Sequence, residues 1–93
     1  MKTLQPTTQF RKDLKRYKNK PEKLAALKGI LTKLQNDQPI PSEYLPHPLH
    51  GKYNGCIECH IQNDFLLIWF DSKSDIIELV RLGSHAELFK KRK

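Results

Sequence analysis

Four histidines stand at positions 47, 50, 60 and 85, all in the second half of a 93-residue chain, and Asp64 follows His60 by four positions. Imidazole ordinarily titrates near neutrality, so it moves protons without a cofactor. A carboxylate beside it either orients the ring or acts on a proton itself. The same stretch carries a competing pattern. Cys56, Cys59 and His60 form C-x-x-C-H, the attachment spacing of a c-type haem and, read loosely, half of a zinc site. Haem attachment, metal binding and metal-free acid–base chemistry therefore compete for one short segment.

The element that carries these residues narrows the choice. Residues 55–61, GCIECHI, alternate Ile57, Cys59 and Ile61 against Cys56, Glu58 and His60, the pattern of a half-buried strand. Cysteines three apart on a strand project to opposite faces, and a second Cys pair is missing, so zinc and haem both lose support. Cys59 reads as a small buried residue and Cys56 as an incidental thiol. A metal site built from three histidines is the next alternative, but no H-x-x-H or H-E-x-x-H spacing supports it. We expect no metal ligands and no cofactor.

Around this strand the chain reads as one α+β domain. Residues 2–5 suit an edge strand that Pro6 ends, and Thr7 or Thr8 caps a helix on which Phe10, Leu14 and Tyr17 share a face. Pro21 opens a second helix striped by Leu24, Leu27, Leu31 and Leu34. A connector with four prolines, NDQPIPSEYLPHP, leads into three strands, and GSHAELF closes with a short helical turn capped by Ser84. The expected fold is two N-terminal helices packed on a small antiparallel sheet over residues 1–89, with KKRK (90–93) as a basic tail.

The chain carries 17 Lys and Arg against 10 Asp and Glu, a formal net charge of +7, which favours a polyanionic partner. On the first helix Arg11, Lys12 and Lys15 form a candidate phosphate-facing surface with only Asp13 against them. The longest apolar run, FLLIWF, is far short of a membrane span, and no signal-peptide stretch is visible, so a cytoplasmic protein with reduced thiols is expected. A basic domain with histidines and a carboxylate fits RNA cleavage by 2′-hydroxyl attack. That reaction needs a base, an acid and cations, but neither a metal nor a covalent enzyme intermediate.

Three segments in order, HPLHG, ECHIQNDFLLIW and RLGSHAELF, make the chain resemble the YafQ family of bacterial toxins within the RelE/ParE superfamily. The resemblance implies a RelE-like fold and a ribosome-dependent mRNA endonuclease, held in check by a cognate antitoxin, with ribosome and mRNA as its other partners. It implies no membrane, and no DNA contact by the toxin alone. It makes His85 the general acid, and lets His47, His60 and Asp64 share activation of the 2′-hydroxyl and hold the phosphate. Phe89 matches the family's aromatic near the end, and Arg81 becomes a candidate phosphate ligand. Phe65 stands where relatives usually carry Trp and is expected to keep a stacking face. Ile57 and Pro46 also depart from the family pattern, at a frequent Arg and an acidic position. The alternative is a gyrase-poisoning ParE-like toxin or a non-catalytic binding protein of the same superfamily, neither of which needs His47, His60, Asp64 and His85.

Overall fold

Pro6 ends a four-residue strand, β1 (Thr3–Pro6), and Thr7 starts the first helix, α1 (Thr8–Lys15), by accepting a 3.0 Å hydrogen bond from the Phe10 amide on its hydroxyl. That is a side-chain N-cap, satisfying one of the helix's unpaired amides. α2 (Pro21–Gln35) has proline in its first turn, where a missing N–H costs nothing. The computed structural model describes residues 1–89; the basic tail 90–93 lies outside them. No described helix is long and apolar enough to cross a membrane.

The proline-rich connector holds a 3-10 turn (Ser42–Tyr44) and a two-residue strand, β2 (His47–Pro48), and a second 3-10 turn (Gly51–Tyr53) follows it. β3 (Ile57–Gln62), β4 (Phe65–Asp71) and β5 (Ile76–Gly83) form the expected antiparallel meander, and α3 (His85–Leu88) is one short turn. The sheet has five strands in the order β1-β5-β4-β3-β2. The N-terminal edge strand forms but pairs parallel with β5, so the sheet is mixed and not purely antiparallel. This parallel pair sends β1 into α1 and β5 into α3 from the same end of the sheet.

One sheet face is covered by α1 and α2, where Phe10, Tyr17, Leu27, Ile30 and Leu34 pack on Cys59, Ile61, Leu67, Trp69 and Leu79. The opposite face carries a smaller cluster of Tyr53, Leu66, Ile68 and Leu88. Two irregularities adjust which side chains meet which layer. Between β4 and β5, Val80 is the extra residue, so Leu79 and Leu82, three apart, both join the helical layer. Between β3 and β4 the register shifts at Ile61, just before a two-residue turn in which Asp64 takes φ 52°. Aspartate tolerates that left-handed conformation because its short side chain can hydrogen-bond locally.

Candidate active site

β3 alternation puts Cys59 and Ile61 under the helices and leaves Glu58 and His60 on the other face. β2 pairs with β3 so that His47 lies opposite Glu58. The Glu58 carboxylate is almost wholly buried, with its Oε1 3.1 Å from His47 Nε2 and 3.8 Å from His60 Nε2. Its Oε2 is buried without any hydrogen-bond partner. The other His47 nitrogen, Nδ1, donates to the Leu45 carbonyl at 2.7 Å. His47 thus has Nδ1 held by the backbone while Nε2 faces the Glu58 carboxylate.

His85 approaches from the other side. It is the first residue of α3, and Asp64 at the β3–β4 turn takes both its hydrogen bonds on one oxygen. The His85 amide donates to Asp64 Oδ1 at 2.8 Å, and Nδ1 lies 2.9 Å from the same atom. Those bonds from the His85 backbone and ring hold the Asp64 carboxyl below its usual range, so it stays ionised and fixes Nδ1 as the donor. Nε2 is then the nitrogen free to exchange a proton.

The three rings form a row. Centroids lie 6.1 Å apart from His47 to His60 and 5.6 Å from His60 to His85. Phe89 continues the row 6.1 Å beyond His85, half exposed and braced edge-on by Tyr53 at 5.7 Å. His50 is exposed and outside this row.

The structure therefore gathers His47, His60, Asp64, His85 and Phe89 into one site. Asp64, four residues after His60, engages His85 and not the nearer-in-sequence imidazole. Glu58 belongs to the site and was passed over in the sequence, although strand alternation had already placed it on the face of His60. Its buried position beside two imidazoles is the signal that only the fold supplies.

Two expected RNA contacts are corrected. Phe65 is fully buried, its ring 4.8 Å from that of Tyr17 and under the Lys23 ammonium, so it has no face to offer a base. Arg81 is engaged inward: Nε and a terminal nitrogen donate to Asp13 at 2.7 and 3.2 Å, and the other terminal nitrogen to the Tyr53 hydroxyl at 2.9 Å. Its guanidinium is turned to a buried carboxylate and not to the histidine row. Arg11, Lys12 and Lys15 are exposed on α1 but belong to the helical layer, across the sheet from the histidines.

The cysteine pattern behaves as the alternation required. Cys59 faces the helices, fully buried, and its thiol is pushed up to about 12 by burial and by the Glu58 charge. Cys56 packs with the opposite cluster, and burial raises its thiol too. Three other groups do come within ligand range of one another: one atom each from Glu58, His60 and His85 lies within 4.8 Å of the others.

A family model for the bacterial toxin YafQ of type II toxin–antitoxin systems matches residues 2–90. The chain belongs to the YafQ family. The mRNA interferase toxin YafQ of Escherichia coli strain K12 is 33% identical over 82 residues, covering 87% of this chain and 88% of that one. An mRNA interferase is an endoribonuclease, and with this YafQ relative the chain falls in that enzyme class. A metal-bound toxin from Helicobacter pylori superposes with a TM-score of 0.84 at 37% identity, covering 96% of this chain and 100% of that one. The toxin of an E. coli DinJ–YafQ complex does so at 0.82 and 30% identity, over 96% and 99%. The mixed five-stranded sheet is thus the YafQ fold.

Proposed function

We propose that this YafQ toxin cleaves mRNA on the ribosome by metal-independent acid–base catalysis and so halts translation until its antitoxin binds. The row of three imidazoles between two carboxylates carries the reading. His60 is the general base: its nearest carboxylate is 3.8 Å away, beyond hydrogen-bond distance, so the ring is available to a substrate. It takes the 2′-hydroxyl proton, the 2′-oxygen attacks phosphorus, and the bond to the 5′-oxygen breaks. His85, oriented by Asp64, protonates that leaving oxygen through Nε2. His47, its Nδ1 held by the Leu45 carbonyl, faces the phosphate charge. The products are a 2′,3′-cyclic phosphate and a 5′-hydroxyl. Phe89 stacks a neighbouring base on its exposed face.

The basic face of α1, with Arg11, Lys12 and Lys15, contributes salt-dependent attraction to ribosomal RNA. A cognate antitoxin is the expected protein partner, as in the DinJ–YafQ complex. Expression without that antitoxin is expected to stop protein synthesis before any DNA-damage response, with primer extension mapping cuts in translated mRNA. A damage response that precedes translational arrest would favour the gyrase-poisoning alternative.

A second reading concerns metal, favoured by the convergence of Glu58, His60 and His85 and by the orphaned buried oxygen of Glu58. Imidazole and carboxylate suit zinc, copper or nickel. Occupancy would tie up the two nitrogens that exchange protons, so metal acts here as an inhibitor. Micromolar zinc is expected to suppress cleavage and EDTA to restore it; loss of activity in EDTA that zinc reverses would make the metal a cofactor instead.

A further inference from the structure

We propose that Tyr17 and Glu87 are positioning residues for His85, through which helix α1 fixes where the imidazole stands. The inference rests on the reading of His85 as general acid. α3 has only four residues, too few to hold its own shape. Its start is closed by a capping box: Ser84 Oγ accepts from the Glu87 amide at 3.2 Å, and Glu87 Oε1 accepts from the Ser84 amide at 2.9 Å. A capping box needs no third member, yet here the Tyr17 hydroxyl, 70 positions away, donates to the same Oε1 at 2.7 Å.

The phenol anchors that carboxylate to the core. Tyr17 is buried against Phe65 in the helical layer, whereas Glu87 is an exposed residue that would otherwise swing into solvent. The backbone beneath is shaped to admit it. Gly83 has φ 153°, and a Cβ there would stand 2.5 Å from Glu87 Oε1. On its other side, His85 is held by Asp64, itself an exposed turn residue. Of the two carboxylates that hold this turn, only Glu87 is tied to the protein interior. Releasing it loosens the cap and lets the His85 amide drift from Asp64, moving Nε2 off the leaving oxygen.

Both groups hold the protonation states this requires. Burial, then the Glu87 carboxylate, raise Tyr17 well above the usual phenol range, so it remains a donor. Burial pushes Glu87 up, but hydrogen bonds from Ser84 and Tyr17 bring it below its ordinary 4.5, so it remains an acceptor.

The test compares Tyr17→Phe, Glu87→Ala and Glu87→Gln in the full chain. It measures kcat and KM on mRNA-programmed ribosomes, the His85 amide resonance and the melting temperature. Small misplacements of an acid are costly, so Tyr17→Phe and Glu87→Ala are expected to lower kcat about tenfold with KM unchanged. The His85 amide should move upfield as its bond to Asp64 lengthens. The double variant should be no worse than Glu87→Ala, and Glu87→Gln should recover activity because its amide oxygen can accept both bonds. Wild-type kcat with an unmoved His85 amide in Tyr17→Phe overturns the proposal, as does a loss that tracks melting temperature across all three variants. If the wild-type protein itself does not cleave, the general-acid reading fails. The amide then decides alone: movement upholds the positioning contact, and no movement overturns it.

Discussion

Two constellations of acids and bases in this molecule are built oppositely. Around Asp13 every capacity is filled: Arg81 donates twice, Gln9 and Arg16 add bonds at 3.2 and 3.3 Å, and the Leu82 amide donates at 3.0 Å. Around Glu58 the count falls short, with one oxygen unpartnered and one imidazole at 3.8 Å. The residue types are similar, but saturation makes the first a joint between α1 and β5. Incompleteness leaves the second with the nitrogens that the proposed mechanism uses to trade protons. Exposure follows the same division: Arg81 keeps 14% of its side chain accessible, His85 56%. A charged residue in a basic domain is thus better judged by what remains unsatisfied than by its charge.

The comparison breaks most sharply at His85. His85→Ala is expected to lower mRNA cleavage by about 10² to 10⁴-fold, the usual worth of a positioned acid, while melting stays close to wild type. A folded His85→Ala variant with full activity would move chemistry out of the open cluster. Asp13→Ala should do the reverse. It strands a half-buried arginine beside a buried site, and breaking a buried pair costs about 3–5 kcal/mol, so a lower urea midpoint is expected. Activity of the fraction still folded should survive better than in His85→Ala.

Glu58→Gln gives a smaller effect with a diagnostic sign. Removing a buried, half-satisfied carboxylate should leave stability unchanged or slightly raised, while cleavage falls about tenfold as His47 loses the carboxylate beside its Nε2. Marked destabilisation would show that Glu58 belongs with the saturated kind. The mildest contrast is acid stability. Burial pushes Asp13 up, but hydrogen bonds from Arg81, Leu82 and Gln9 outweigh it and leave the carboxyl below its ordinary 3.8. Its contribution is therefore complete above that value and lost as pH falls through the lower folded value. Asp13→Asn should flatten the acid limb of a stability–pH curve in that window; an unchanged limb would deny the network its role.

The sequence made the open cluster easier to read than the closed one. His60 and its strand followed from alternation, Ser84 from its place ahead of a short helical run, and a cap at Thr7 or Thr8 from the proline before them. These are local signals. Asp13 looked like an ordinary residue of a charged helix, because its partner lies 68 positions away on β5. Separation along the chain also hid the burial of Phe65: a strand-opening aromatic looks alike in sequence whether it faces solvent or the Tyr17 ring. Glu58 was visible on the correct face, but its two histidine neighbours come partly from β2, a two-residue strand in a proline-rich stretch that carries no strand pattern. The parallel pairing of β1 was hidden likewise, since nothing local distinguishes which edge a short strand joins.

The central claim is that this row of histidines cleaves RNA by proton transfer alone, and the chemistry of the new ends tests it most directly. mRNA cut on translating ribosomes in excess EDTA should carry 2′,3′-cyclic phosphate and 5′-hydroxyl termini, and none should appear with His85→Ala. Ends bearing 3′-hydroxyl and 5′-phosphate, or cleavage that stops in EDTA and returns with added metal, would contradict it.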